Sequence, residues 1–426
     1  MKKMLLVSVC LLSFEIQAVE YQQFEYDQIS VAEVKTLPPE EAGKAAQAPA
    51  SPSEPDKKAE PEKKIDADKK TEPEKKKEEA PKDKKPEEPA FLVPLSLGRC
   101  GRVTFKPGAR IQVRYEYDTE HYNHDFFIRR FRLKGSGDAF GIAKYGTELK
   151  IDNVGRYRAE PKAEVENAWI DFTLCKDLTY LRVGLYDLPF SRDALTSDSK
   201  LLFMDRTLIK EQLTSLGLAD NTIGLLLHGR PNAGRFEYAV GIFDNIKFEK
   251  FGSDGPRNSH QLMPAGRFVV NFLDPAVPPD GYADYEESYI GKGQRLAIGV
   301  NAAYLGGARD EEEDNKFDLY AYGADLFFNR GPFTFQAEYD LYHENDRWGY
   351  GWYVQTGYLF CCCIELAARY QELMPISHDR ETWASIGLNK YIRQHNLKIQ
   401  TDYTFKRREA DHENIHVFEI QLQLDF

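Results

Sequence analysis

The chain has 426 residues, 42% of them hydrophobic and 29% charged, and its longest clean apolar run is Met4–Leu12. That run is too short to cross a bilayer as a helix, which excludes a helical membrane protein. The 24 Tyr and 26 Phe, against 5 Met and 4 Trp, suit two interfacial aromatic girdles better than a soluble enzyme, and a net charge of -12 argues against nucleic acid as a partner.

Lys2 and Lys3, then Met4–Leu12, then Ile16-Gln17-Ala18 read as a secretory signal over residues 1–18, with the mature chain starting near Val19. Val7-Ser8-Val9 before Cys10 matches a lipoprotein site poorly. Residues 19–95 form a Lys/Glu/Pro arm without an aromatic residue from 27 to 90. A hexapeptide recurs in it as Asp56-Lys57-Lys58, Glu62-Lys63-Lys64, Asp68-Lys69-Lys70 and Glu74-Lys75-Lys76. Such a segment buries too little apolar surface to offset its ordering entropy, and its prolines interrupt any long helix. The expectation is a disordered periplasmic spacer, with the cell wall or envelope proteins as candidate partners.

From Phe105 onward the chain alternates in period two. Ile111, Val113, Tyr115 and Tyr117 are separated by Gln112, Arg114 and Glu116. Phe127, Phe131 and Leu133 are assigned to one face, opposite Arg130, Arg132 and Lys134. The same alternation marks fourteen further strands, the last placing Phe418, Ile420, Leu422, Leu424 and Phe426 against Glu419, Gln421, Gln423 and Asp425. Short connections fall near Ser136–Ala139, Cys175–Asp177, Pro231–Gly234, Arg330–Pro332, Cys361–Cys363 and Arg393–Asn396. Longer ones fall near Asp187–Asn221, Asp244–His260, Leu305–Lys316 and Lys406–Asn414, and Asp274–Gln294 is long where a short one is due. An even number of strands of about 10 residues with alternating loop lengths is the outer-membrane pattern. The expected fold is therefore all-β: a 16-stranded antiparallel transmembrane β-barrel over residues 96–426, ending on Phe426 like outer-membrane barrels.

Two stretches carry a family likeness. Phe126-Phe127-Ile128-Arg129-Arg130-Phe131-Arg132-Leu133-Lys134-Gly135 resembles the Arg-Arg second strand of the phosphate-selective porin O/P family. Arg182-Val183-Gly184-Leu185-Tyr186-Asp187-Leu188-Pro189-Phe190-Ser191-Arg192, continuing through Leu195, Ser197 and Met204-Asp205-Arg206, resembles that family's strand running into its third loop. The likeness covers roughly residues 100–426; the arm and the cysteines depart from it. It implies a usually trimeric barrel whose third loop folds inward as a constriction.

The polar face sets the chemistry. Arg110, Arg114, Arg130, Arg132 and Lys134 come from the first two strands, and Arg182, Arg230 and Arg267 from later ones. Arg192, Lys200, Arg206 and Lys210 sit in the third loop. Guanidinium forks can replace the water shell of an oxyanion, and a ladder of weak sites lets it move on. Asp325, Glu338, Asp340, Glu365, Glu419 and Asp425 make an acidic wall expected to pair with some of these cations across the lumen. Cys100, Cys175, Cys361, Cys362 and Cys363, all placed at the periplasmic end, are an odd set in an oxidising compartment, so an intermolecular disulfide or a free thiol is expected.

Two motifs are weaker. His412-Glu413-Asn414-Ile415-His416 matches H-E-x-x-H, but zinc chemistry needs it on a helix and this segment runs into a strand. Asp310-Glu311-Glu312-Glu313-Asp314 reads as a solvated loop rather than a cation site. No catalytic site, metal or cofactor is expected. The reading is an outer-membrane porin for small hydrophilic, phosphate-like anions, as a homotrimer among outer-membrane lipids. A general or carbohydrate-preferring pore and a structural envelope protein are the alternatives.

Overall fold

A computed structural model of the chain describes residues 93–96 and, apart from short connecting stretches, residues 102–426. The signal segment, most of the arm, Cys100, Glu311–Asp314 and His412–Glu413 lie outside the described residues.

Sixteen antiparallel strands build the body. They are β1 (Arg102–Asp118), β2 (Asn123–Ala139), β3 (Ala143–Val154), β4 (Ala163–Cys175), β5 (Thr179–Asp187) and β6 (Asn221–Gly229). Next come β7 (Phe236–Asp244), β8 (Leu262–Asn271), β9 (Gln294–Asp310), β10 (Lys316–Arg330) and β11 (Phe333–Glu344). The last are β12 (Arg347–Phe360), β13 (Ile364–Met374), β14 (Glu381–Arg393), β15 (Leu397–Arg408) and β16 (Asn414–Asp425). Each strand pairs with its neighbours in sequence, and β16 returns to β1 with Asp425 opposite Arg110, which closes the ring. Two short strands are accessory: Val93–Ser96 pairs with the start of β1, and Arg257–Asn258 with the end of β9.

The burial pattern is the inverse of a soluble sandwich. In β16, Phe418, Ile420, Leu422 and Leu424 are exposed, whereas Glu419, Gln421 and Gln423 are buried. β14 repeats this, with Ile386 and Leu388 outside and Ser385 and Asn389 inside. An apolar face turned outward around a closed ring must be met by lipid, and a polar face turned inward must find its hydrogen bonds within the lumen.

Register shifts interrupt the alternation in several strands, and the one in β2 bears on the lumen face. Between β1 and β2 the register slips, Gln112 facing Arg130 and Val113 facing Ile128, so Arg129 is an extra residue. Such a bulge inverts the faces on either side of it. Phe127 is therefore buried on the polar side and Phe126 is the exposed residue, which corrects the assignment of Phe127 to the face of Phe131 and Leu133.

The turns also shift. β2 continues to Ala139, so its turn is 140–142, and β9 and β10 extend until only residues 311–315 separate them. The register around the long connection after β8 is regular: Leu262–Val270 pair with β7, Ala265–Asn271 pair with β9, and residues 272–293 link β8 to β9.

Candidate channel lining

The third loop, residues 188–220, carries two helices, α1 (Arg192–Leu195) and α2 (Leu208–Ser215). Ser191 and Thr207 cap them, accepting from the Ala194 and Lys210 amides. Polar side chains of the strands bind the loop backbone. Glu338 on β11 accepts from the Arg192 and Asp193 amides at 3.0 and 3.1 Å, and Asp402 on β15 accepts from the Met204 amide at 2.6 Å. Gln371 accepts from the Leu208 amide, while Asn389 and Lys398 donate to the Leu202 and Leu201 carbonyls. The wall makes room for it: a Cβ on Gly351 would lie 2.8 Å from Ile209, and one on Gly387 3.2 Å from Phe203.

Asp198 is the electrostatic hub of this loop. Its carboxylate lies 2.8 Å from Arg206, 3.1 Å from Arg130, 3.5 Å from Arg132 and 3.9 Å from Arg110. Burial alone would raise its pKa, but the four guanidiniums outweigh it and hold the carboxyl well below the usual range. Each arginine has a further partner. Arg110 reaches Asp425 at 2.8 Å, Arg132 reaches Asp152 at 2.6 Å and Glu148 at 3.3 Å, and Arg206 reaches Asp193 at 3.6 Å. Arg130 donates to Gln112 at 3.0 Å. Arg114 is held by Glu419 and Asp205, and Lys134 by Asp425.

The remaining cations expected at the lining are dispersed. Arg182 pairs with Asp171 at 2.7 Å and lies over the Trp169 ring. Arg230 pairs with Glu237 and Arg267 with Asp325, at 2.7 and 2.6 Å. Lys200 is taken up by Asp284 and Glu286, and Arg192 is wholly buried between the rings of Tyr285 and Phe327. Of the acidic wall, Asp325, Glu419 and Asp425 pair with cations one or two strands away rather than across the lumen. Glu338 binds the loop backbone, Glu365 binds Ser288 and Tyr391, and Asp340 accepts from Asn301.

Two large water-accessible cavities run beside the loop. One of about 1060 Å³ is lined by residues from β1, β2 and β13–β16, the other of about 770 Å³ by β2–β5 and the loop. They share Arg129, Asn153, Asp205, Glu211 and Ser215. Of the expected cations, Arg114 lines the first, and Arg130, Arg132, Arg206 and Lys210 line the second. Arg129, which the alternation does not single out, lines both; the bulge lets it face the lumen beside Arg130. Lys210 has no carboxylate in ion-pair contact among the described residues. Its burial, then the nearby Arg206, lowers its pKa. Among the described residues, nine acidic and seven basic side chains line each cavity.

The thiols of Cys175, Cys361, Cys362 and Cys363 are free; the first three are exposed. All four belong to tight turns or strand ends at the end of the ring that carries the short turns. The described part of H-E-x-x-H, Asn414–His416, is extended in β16, and His416 stacks on Tyr403.

Comparison with known proteins fixes the family. Residues 103–426 match the family described as phosphate-selective porin O and P. An uncharacterized protein of Aquifex aeolicus (strain VF5) is 26% identical over 340 residues, 71% of this chain and 81% of that protein. Among solved structures, an anion-selective porin from Comamonas acidovorans superposes with a TM-score of 0.55 at 11% identity, covering 76% of this chain and all of that one. The outer membrane channel DcaP of Acinetobacter baumannii gives 0.54 at 9% identity, over 77% and 98% of the two chains. Salmonella typhi OmpF, in complex with daunomycin, gives 0.53 at 8% identity, over 76% and 98%. The chain belongs to the phosphate-selective porin O and P family and is an outer-membrane porin.

Proposed function

We propose that the pore passes small hydrophilic anions by diffusion, with the third loop as its constriction and Arg129, Arg130, Arg132, Arg206 and Lys210 as the groups the anion meets. The observation that carries this is Lys210: its ammonium borders the 770 Å³ cavity without a carboxylate partner among the described residues. An incoming oxyanion meets one ammonium outside any ion pair among the described residues and, around it, guanidiniums pinned by their carboxylates. Weak, repeated contacts of this kind admit an ion without trapping it.

The test is the zero-current potential of the purified protein in a salt gradient. Anion preference is expected, reduced in Lys210→Gln and reversed in Lys210→Glu, and millimolar phosphate should block chloride current. A wild-type pore that prefers potassium overturns the reading. The excess of acidic over basic lining residues favours a second reading, a general diffusion pore with a transverse field; anion preference without phosphate block would select it. The remaining elements of the reading are a homotrimer, an arm over residues 19–95 in the periplasm after removal of residues 1–18, and a periplasmic location for the tight-turn end. Cross-linking in native membranes and protease access to the arm in intact cells test them.

A further inference from the structure

The connection between β8 and β9 falls at the end of the ring where a tight turn suffices, yet residues 281–293 run back against the third loop. Thr196 and Tyr285 pair in a parallel bridge. The Glu287 amide donates to the Lys200 carbonyl at 3.2 Å, and the Leu202 amide donates to the Glu287 carboxylate at 2.5 Å. The Lys200 ammonium lies 2.7 Å from Asp284 and 3.1 Å from Glu286. The segment is tied to the wall from its other side. Tyr282 donates to the Asp187 carbonyl at 3.2 Å, Tyr285 to Glu237 at 3.0 Å and Ser288 to Glu365 at 3.0 Å. Between the two segments sits Arg192, whose guanidinium lies 4.3 Å from the Tyr285 ring and 4.2 Å from the Phe327 ring. None of its three side-chain nitrogens has a hydrogen-bond partner among the described residues.

We infer that residues 281–293 are a second constriction element, a strap that enters from the opposite end to the third loop and fixes both its position and the size of the pore. The inference rests on the pore reading above and adds what sets the passage. Strap and loop together pack the lumen beside β5–β11, the loop reaches on to β12–β15, and the two large cavities are lined by loop residues and by no strap residue. Lys200 and Arg192 are then positioning residues. Lys200 is neutralised by the strap's two carboxylates, and Arg192 is shut between rings by the strap's Tyr285, so both act on a passing ion through the loop they hold.

The experiment uses the full chain with Cys100, Cys175, Cys361, Cys362 and Cys363 changed to Ser. In one variant residues 282–287 are replaced by an equal length of Gly and Ser. Single-channel conductance should rise roughly twofold and ion preference should weaken, because a wider passage leaves ions hydrated. In a second variant, Thr196→Cys with Tyr285→Cys, paired strand positions are close enough for a disulfide. It should form in the heat-modifiable barrel, give steady wild-type conductance when oxidised, and become larger and noisier on reduction. A conducting wild type whose Gly/Ser variant keeps the same conductance and preference overturns the strap, as does a cysteine pair that does not cross-link in the folded barrel. A folded wild type that never conducts overturns the pore reading instead, and this inference with it. Where the Gly/Ser variant does not reach the barrel form, the oxidised and reduced states of the cysteine pair decide alone.

Discussion

Asp198→Asn isolates the electrostatics of the constriction, because it removes charge and leaves shape. The local cluster is close to neutral: Arg110, Arg130, Arg132, Lys134 and Arg206 face Asp198, Asp425, Asp152, Glu148 and Asp193. Removing the Asp198 charge leaves one positive charge uncompensated. For an ion passing at about 6 Å in a water-like dielectric, that is worth about 0.7 kcal/mol. An anion gains about threefold in occupancy and a cation loses as much, so the permeability ratio moves by up to about tenfold. At about 0.1 M salt, with a screening length of about 10 Å, the change falls to about fourfold, and at about 1 M it nearly vanishes. The loop should stay in place, since Arg110, Arg132 and Arg206 keep other carboxylates and Arg130 keeps Gln112. Replacing Arg130 and Arg132 by Glu is a harsher change, because it would set carboxylates beside Asp198 and unseat the loop. The assay is the zero-current potential at low and high salt, on protein checked for heat-modifiable migration. An unchanged ratio at 0.1 M, or a move toward cations, refutes the reasoning.

Other outcomes follow from the same geometry. Gly351→Leu places a side chain where Ile209 sits, so it should cost about 1–3 kcal/mol of stability and lower conductance by pushing α2 toward the cavities; gel-shift melting and bilayer recording check both. His395, in the turn between β14 and β15, is pushed down to about 3 by burial and then by Lys398. The unfolded chain therefore takes up a proton below about pH 6.5 that the folded one refuses, and stability should fall by up to about 1.4 kcal/mol per pH unit between there and about pH 3. His395→Gln should flatten that slope in gel-shift melting curves. The exposed thiols of Cys175, Cys361 and Cys362 should give reductant-sensitive cross-linked species on non-reducing gels. Labelling of Cys361–Cys363 in intact cells by an impermeant reagent would contradict their assignment to the periplasmic end.

The barrel was legible because lipid imposes one demand on every strand. Phe418, Ile420, Leu422 and Leu424 must all be apolar, and the period-two signal is strong wherever both faces have fixed partners. Of the residues that carry the family likeness, Arg130 and Arg132 border a cavity and Arg206 pairs with Asp198. What escaped is what has no period. Asp198, the neutralising group, comes from a loop, and its partners lie on strands far away in sequence. The strap betrayed itself by length, but its use depends on single side chains such as Asp284 and Tyr285, whose partners Lys200, Thr196 and Glu237 are about 50 to 90 residues distant. Arg129 was hidden by the one irregularity in β2, since alternation assigns it to the lipid side.

That bulge has a bearing on insertions and deletions. The part of β2 before Arg129 and the part after it are out of phase, and each is correct for its surroundings only because one residue is left unpaired between them. Take Arg129 out, and Ile128 and Arg130 become neighbours, so Phe127, Arg130 and Arg132 keep the lumen while Phe126, Ile128 and Phe131 keep the lipid in one regular strand. A residue lost from the regular part is different: without Arg132, either Leu133 turns to the lumen and Lys134 to lipid, or the bulge closes and turns Arg130 to lipid. Such a loss changes the environment of several side chains, whereas a substitution changes one. The bulge is therefore the place in β2 where shortening by one residue disturbs the faces least, so deleting Arg129 should damage assembly less than deleting Arg132.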